Sequence, residues 1–355
     1  MNLRSKEIFP IRTALIGFGF SGAIFHSPFL KVLPAFQVTH VVSSQNEKVH
    51  TTFPGIDVLP RTSIETCLEN PLIDLVIITA PNKDHYPLAK KALLHDKHVV
   101  VEKPFVLTQT EGRELIDIAQ KQSKVLSVFH NRRWDSDFLT VKNIIHSGAL
   151  GNISTFISRY DRYRPHPKLE RWKESDEEGA GTLWDLGAHL IDQTLQLFGL
   201  PERLFAEVLC QRTQASAVDY FDIKLMYRSG MRANLSSSTL CIAPGSKYEV
   251  HGTEGSFVKC GHDPQELALI RGVIPTHENF GKESENFHGK ITTQNDGTHT
   301  VASLNGCYLA FFQQLQSAIL HGTQPPVTPQ DALNVIKLIK LCEQSSKEQR
   351  VMTIE

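Results

Sequence analysis

Residues Gly17-Phe18-Gly19-Phe20-Ser21-Gly22 form a G-x-G-x-x-G element between an apolar run, Thr13 to Gly17, and a helical pattern, Gly22 to Leu33. A strand, a glycine-rich turn and a helix in this order predict a βαβ unit that binds a dinucleotide. Gly17 permits the tight turn. Gly19 lets the backbone approach a pyrophosphate. Gly22 lets the helix pack closely on the strand, with the helix N-terminus facing the phosphates. Phe18, Phe20 and Ser21 complete the loop expected to hold the cofactor.

The rest of the first third extends this unit. Gln37 to Ser43, Asp74 to Ala80, His98 to Glu102 and Val125 to His130 read as strands, and Tyr86 to Asp96 and Thr108 to Gln122 as helices. The run Asp74 to Ala80 is almost continuously apolar, as expected of a strand covered on both faces. Thr108 with Glu111 forms a capping box. Strands alternating with helices predict a doubly wound parallel sheet.

The pattern changes after about residue 130. Asp135 to Ser147 looks helical, and Thr182 to Phe198 is a long amphipathic helix stopped by Gly199 and Pro201. Ala206 to Arg212, Phe221 to Tyr227, Arg232 to Ser238, Tyr248 to Gly252 and Ser256 to Lys259 are β-like runs with little helix between them, which predicts a largely antiparallel sheet. Asn279 to Thr300 is polar and glycine-rich and predicts loops; Asn305 to His321 and Pro329 to Ser346 predict two closing helices, with the apolar stripe of Asn334 to Cys342 in the core. The expected fold class is α/β: a Rossmann dinucleotide-binding domain over residues 1–130 and a second α/β domain, on a large, mostly antiparallel open sheet, over 131–355.

Charge removes several functions from consideration. Lys and Arg number 37 against 38 Asp and Glu, so nothing marks the chain for nucleic acid or an anionic membrane. No apolar run reaches the roughly 18 residues of a membrane span, and Met1 to Pro10 does not read as a secretory leader. The cysteines Cys67, Cys210, Cys241, Cys260, Cys307 and Cys342 are scattered, which predicts free, mostly buried thiols in a reducing cytoplasm.

The second strand runs into Ser43-Ser44-Gln45, where an NAD site usually carries an acid for the ribose 2′-hydroxyl. Serines hydrogen-bond a 2′-phosphate without repelling it, and Lys48 adds positive charge. Glu47 is the candidate for a displaced acid. The loop as a whole favours NADP, with NAD the alternative.

The fourth strand runs into Thr79-Ala80-Pro81-Asn82-Lys83-Asp84-His85 and the fifth into Glu102-Lys103-Pro104-Phe105; later comes Gly181-Thr182-Leu183-Trp184-Asp185-Leu186-Gly187-Ala188-His189-Leu190-Ile191-Asp192. With the glycine loop, these stretches resemble the glucose-fructose oxidoreductase/inositol dehydrogenase/rhizopine-catabolism (Gfo/Idh/MocA) family over essentially the whole chain. The stretches FHSPFL, FHNRRWDSDF and YDRYRPHPKLERW are similar to the branch that contains NADP-dependent scyllo-inositol dehydrogenases. The resemblance implies reversible hydride transfer between a nicotinamide and a sugar or polyol carbon, an open C-terminal sheet that serves a homodimer or dimer of dimers, and a catalytic group at Lys103, Asp185 and His189.

Those three residues also make chemical sense. Lys103 follows a strand's carboxyl end, where open α/β sheets bind ligands, and the proline after it restrains the backbone, in a cis bond if one forms. Asp185 and His189 are spaced i,i+4 on one helix face, with Asp192 at i+7. Alcohol oxidation must remove a hydroxyl proton, and His189, an imidazole, suits that step. Lys103 stabilises the developing alkoxide, and Asp185 orients the pair and binds substrate hydroxyl. Gly181 and Gly187 suggest close packing near a ligand.

Thr79, Ala80, Pro81, Asn82, His85 and Glu102 are further cofactor candidates, Asn82 and His85 near the nicotinamide ribose. His130 to Arg133, with His130 and Arg132 foremost, follow the sixth strand toward cofactor or substrate. Asp161, Arg162, Arg164, Arg171 and Trp172 form a polar, aromatic segment suited to a polyol. No metal is expected, because no cysteine lies near Asp185, His189 and Asp192. The competing functions are an NAD-preferring sugar or sugar-derivative dehydrogenase and a non-catalytic dinucleotide-binding sensor; the presence of all three catalytic candidates disfavours the sensor.

Overall fold

Six short strands, β1 (Ile11–Ile16), β2 (Phe36–Val42), β3 (Asp57–Leu59), β4 (Leu75–Ile78), β5 (His98–Glu102) and β6 (Leu126–Phe129), form one parallel sheet in the order β3-β2-β1-β4-β5-β6. This is the doubly wound arrangement expected, and its order reverses between β1 and β4, the position at which such sheets open a crevice at their carboxyl ends. Every side chain of β4 is buried, which accounts for its continuous apolar sequence. Thr108 and Glu111 form the capping box of the helix Gln109–Lys121. The computed structural model describes residues 10–168, 170 and 172–354. Most of the expected N-terminal stretch, Met1 to Phe9, and Arg171 lie outside the described residues.

The chain forms two units. The first runs to Phe129 and also takes in Glu266–Glu278 and Leu309–Gln330; the second comprises His130–Gln265, Asn279–Tyr308 and the chain from Asp331 on. The sequence boundary near 130 therefore marks where the chain leaves the first unit but not where it returns. The return has a packing cause. Phe312, on the helix Leu309–His321, stacks on Phe29 at 5.1 Å between centroids, and Phe311 meets Phe129 edge-on at 4.8 Å.

In the second unit β7 (Ile153–Arg159), β8 (Arg203–Leu209), β9 (Tyr220–Met226), β10 (Arg232–Ser238), β11 (Tyr248–Gly252), β12 (Gly255–Lys259), β13 (Gly289–Thr293), β14 (Gly297–Val301) and β15 (Met352–Thr353) form a sheet in the order β14-β13-β12-β11-β7-β10-β9-β8-β15. All its pairings are antiparallel except β7 with β10. One face is buried: Phe156, Phe221, Ile223, Leu225, Ala233 and Leu235 are fully buried. The register puts Ile157, Asp222, Lys224, Asn234 and Phe205 on the other face, where they stay half-buried or exposed.

Four expectations need correction. The loops expected over Asn279 to Thr300 include the hairpin β13–β14, whose threonine-rich strands flank Asp296-Gly297; Gly297 has φ +67°, as a tight hairpin turn requires. Strand β7, central in the sheet, was not anticipated. The helix expected over Thr182 to Phe198 is broken in register: Leu183–Gly187 forms a π-turn before the α-helix Ala188–Phe198. The thiols are free but not mostly buried, since only Cys67 and Cys342 are; Cys210 and Cys260 are exposed. The stripe within Asn334 to Cys342 is core, with Val335, Ile336, Leu338, Ile339 and Cys342 buried. No helix among the described residues is long and apolar enough to cross a membrane.

Candidate dinucleotide and catalytic sites

The glycine loop leaves β1 at the switch point of the first sheet. Gly17 adopts φ +97°, and a side chain there would also meet Thr79 Oγ1 at 2.8 Å. A Cβ on Gly22 would lie 2.7 Å from the Gly17 carbonyl, whereas one on Gly19 would meet nothing within 4 Å. The three glycines thus have the expected roles: turn, open approach and close packing. This open backbone at the switch point fits a dinucleotide pyrophosphate. Thr79 donates from its hydroxyl to the Gly17 carbonyl at 2.9 Å and pins the loop to the end of β4. Phe18 is buried against Phe53, so it supports the loop from below, while Phe20 is exposed.

Ser43 Oγ accepts the backbone N–H of Gln45 at 3.0 Å, leaving its hydroxyl hydrogen to donate elsewhere. Ser44 and Lys48 are exposed beside it, and the Lys48 ammonium lies 6.0 Å from the Phe18 ring centroid. Glu47 is also exposed, in the first turn of the helix Asn46–Thr52.

Lys103 stands directly after β5 and before Pro104, to which it is joined by a cis bond. Its neighbours are held by buried groups. Glu102 receives the Ser21 hydroxyl and His26 Nε2, the latter at 2.9 Å, and its other oxygen accepts the Lys103 N–H at 3.1 Å. Burial pushes the Glu102 carboxyl up, but the hydrogen bond and charge of His26, with Ser21 and Lys103, hold it below the ordinary carboxylate range. Ser21 and Glu102, expected to touch cofactor, are thus bonded to each other.

His85 needs a plainer correction. It is 1% exposed, with Nδ1 2.7 Å from the Pro104 carbonyl and Nε2 3.0 Å from the Ala80 carbonyl. Both ring nitrogens face backbone carbonyls, and a neutral imidazole donates to only one of them; its burial keeps the side chain away from solvent. Burial lowers its pKa, opposed by the two carbonyls, and we assign the N–H to the shorter Nδ1 contact. Asn82 opens the same helix, next to Ala80 and Pro81.

In the second unit the π-turn carries Asp185 and the following α-helix carries His189 and Asp192. A π-turn closes five-residue rather than four-residue spacings, so Asp185 enters from a wider turn than the α-helix that carries His189 and Asp192. His189 is buried and edge-on to His130, ring centroids 6.3 Å apart. Asp185 is paired with Lys173 at 2.9 Å, a partner that sequence spacing did not suggest. Asp192 is bound by Arg133 through two contacts, 2.6 and 2.9 Å, and Arg133 also reaches Asp331 at 3.1 Å. Among the described residues no group of three or more His, Cys, Asp and Glu side chains is placed to hold a metal ion.

Arg133 is therefore a structural cation, not a ligand contact. Arg132 is also buried, 3.4 Å from Asp135 and 5.2 Å from the centroid of the Tyr160 ring. Gly181 and Gly187 do pack closely: a side chain would meet the Val218 carbonyl at 2.8 Å or Leu183 at 2.9 Å, and Gly181 and Val218 line a cavity of this unit.

Arg164, Trp172 and Asp185 do come together. With Arg162, Lys173 and Thr239 they line a cavity of about 370 Å³ within this unit. Asp161 is not part of its wall; it accepts the Ser238 N–H at 2.9 Å and ties the segment to β10.

Two descriptions match the chain: "Oxidoreductase family, NAD-binding Rossmann fold" over residues 11–130 and "Oxidoreductase family, C-terminal alpha/beta domain" over 142–354. The sequence is 40% identical, over 99% of this chain and 98% of the other, to scyllo-inositol 2-dehydrogenase (NADP(+)) IolW of Bacillus subtilis. It is 37% identical, over 97% and 99%, to the Escherichia coli oxidoreductase YdgJ. The solved structure of yvaA from Bacillus subtilis superposes with a TM-score of 0.95 at 40% identity, covering 99% of this chain and all of that one.

Proposed function

The chain belongs to the Gfo/Idh/MocA oxidoreductase family, and from that premise we propose that it is an NADP-dependent dehydrogenase of a cyclitol or sugar, with scyllo-inositol the first substrate to test. The observation that carries this reading is the open glycine loop at the switch point, with Lys103 on the same carboxyl edge of the sheet, at the end of β5. The full-length likeness to a protein named for scyllo-inositol supports the substrate class.

The bound dinucleotide supplies the hydride acceptor. This chain's own residues would hold it through Gly17 to Gly22, Ser43, Ser44, Lys48 and Thr79 to Asn82. The His189 imidazole takes the substrate hydroxyl proton in oxidation and returns it in reduction. The Lys103 ammonium donates to the same oxygen and stabilises charge as it develops. Asp185, with Lys173, binds a neighbouring hydroxyl at the cavity that Arg164 and Trp172 line. A screen of inositols and aldoses with both cofactors, following absorbance of reduced nicotinamide, tests the assignment: turnover of a polyol with NADP supports it, and none with any polyol leaves the sensor reading.

The cofactor choice rests on Ser43 and Ser44. NADPH should bind more tightly than NADH by fluorescence titration, and equal or reversed affinities contradict that. Ser43→Asp should shift the ratio of dissociation constants toward NADH by about tenfold or more, because a carboxylate repels the 2′-phosphate and accepts from the 2′-hydroxyl.

The assembly we propose is a homodimer or dimer of dimers through the open face of the second sheet. That face carries Ile157, Phe205 and Met226 among Arg159, Asp222 and Glu249, a mixture suited to self-association. Light scattering at micromolar concentration should give a multiple of the chain mass, and Ile157→Arg should move it toward the monomer; a wild-type monomer refutes the proposal. The exposed free thiols Cys210 and Cys260 support a reducing, cytoplasmic setting, which cell fractionation checks.

A further inference from the structure

We propose that His26 and His85 are positioning residues that hold Lys103 from its two sides; the proposal rests on the reading above that Lys103 acts on the substrate hydroxyl. His26 is fully buried, its ring 4.2 Å from Phe129 and 5.9 Å from Phe312 between centroids. Its Nε2 donates to Glu102, and Glu102 in turn accepts the backbone N–H of Lys103. On the other side, His85 Nδ1 donates to the carbonyl of Pro104. The residues immediately before and after Lys103 are thus each bonded to a buried imidazole, one from the segment after the glycine loop and one from the helix after β4.

Neither ring is open to substrate, at 0% and 1% exposure, so neither is a catalytic residue. What they set is the root of the lysine side chain. Four flexible methylenes separate that root from the ammonium, so a small rotation of the β5 exit moves the charge by an ångström or more. Displacement of that size at a reacting centre lowers rate by about a hundredfold without touching remote binding. The arrangement also ties cofactor to catalysis: Ser21 on the glycine loop and His26 meet the same carboxylate, and His85 faces Ala80 in the cofactor loop.

The test uses the full-length enzyme with NADP and scyllo-inositol bearing deuterium on its ring carbons. His85→Leu and His26→Phe fill the volume without a donor. Each should lower kcat by about 10- to 100-fold, leave KM for NADP within about twofold, and raise the deuterium isotope effect, because the chemical step alone has slowed. His85→Asn places an amide near Nδ1 and His26→Gln one near Nε2, and both should stay within about threefold of wild type. In a Lys103→Ala background the four replacements should change residual kcat by less than about twofold. If His85→Leu fails to fold, His85→Gln, whose amide overshoots the Pro104 carbonyl, carries the same expected loss.

A full loss that persists in the Lys103→Ala background, or a lowered kcat with an unchanged isotope effect, overturns the positioning role while leaving Lys103 catalytic. Wild-type kcat in His85→Leu or His26→Phe does the same. An active Lys103→Ala enzyme overturns both readings at once.

Discussion

His189→Ala is expected to lower turnover by about 10²–10⁴-fold while dinucleotide affinity stays near wild type. The imidazole is buried beside His130 and is not among the residues proposed to hold the dinucleotide, so its loss is expected to leave cofactor affinity intact. Lys103→Ala should cost a similar factor through lost charge stabilisation. Lys103→Arg should not restore activity, because a planar guanidinium cannot replace a compact ammonium at one oxygen. The two losses should be strongly non-additive, since both groups are assigned to one hydroxyl. Additive losses would mean that they act on different steps.

The second large effect is on stability. Asp192→Ala should destabilise the protein by about 3–5 kcal/mol in urea unfolding, because it strips a buried guanidinium of its main partner. Asp331 remains on the far side of Arg133, at 3.1 Å and partly exposed, which places the loss toward the lower end. Burial alone would raise the Asp192 carboxyl, but Arg133 beside it more than offsets this and holds it below the ordinary carboxylate range. A carboxyl with a depressed folded pKa stabilises above its unfolded value, near 3.9, and that contribution disappears as pH falls from there through the folded value. Wild type should therefore lose more stability than Asp192→Asn on acidification below about pH 4. Equal acid sensitivity in the two proteins would contradict the assignment.

Local patterns in the sequence carried the first unit. The glycine loop, the apolar β4 and the Thr108–Glu111 capping box are each written in a few consecutive residues, and each formed where expected. The site was legible where a residue's position in the chain decides its place: Lys103 follows β5, and Arg164, Trp172 and Asp185 share one cavity. Pairings between distant residues were not legible. Arg133 and Asp192 are 59 positions apart, and nothing local in either marks the bond. The π-turn at Leu183–Gly187 adds one residue to a turn without altering the apolar pattern, so an unbroken helix over Thr182 to Phe198 was the natural reading. His85 looked like a ligand contact because a histidine at a strand end often is one; its two backbone carbonyl partners become visible only once β4 and β5 are paired. The β13–β14 hairpin could have been found from Asp296-Gly297 between threonine-rich runs. Its polar, exposed strand β14 and the single apolar residue of β13, Ile291, left too little alternation for strand reading.

The account is tested most directly by the rate of NADP reduction with scyllo-inositol, measured on purified wild-type, His189→Ala and Lys103→Ala proteins whose NADPH affinities are determined in parallel. It predicts turnover in the wild type, loss by about two to four orders of magnitude in each variant, and unchanged NADPH binding in all three. Tight NADPH binding with no turnover of any inositol or aldose by the wild type, or full turnover by the His189→Ala protein, would contradict it.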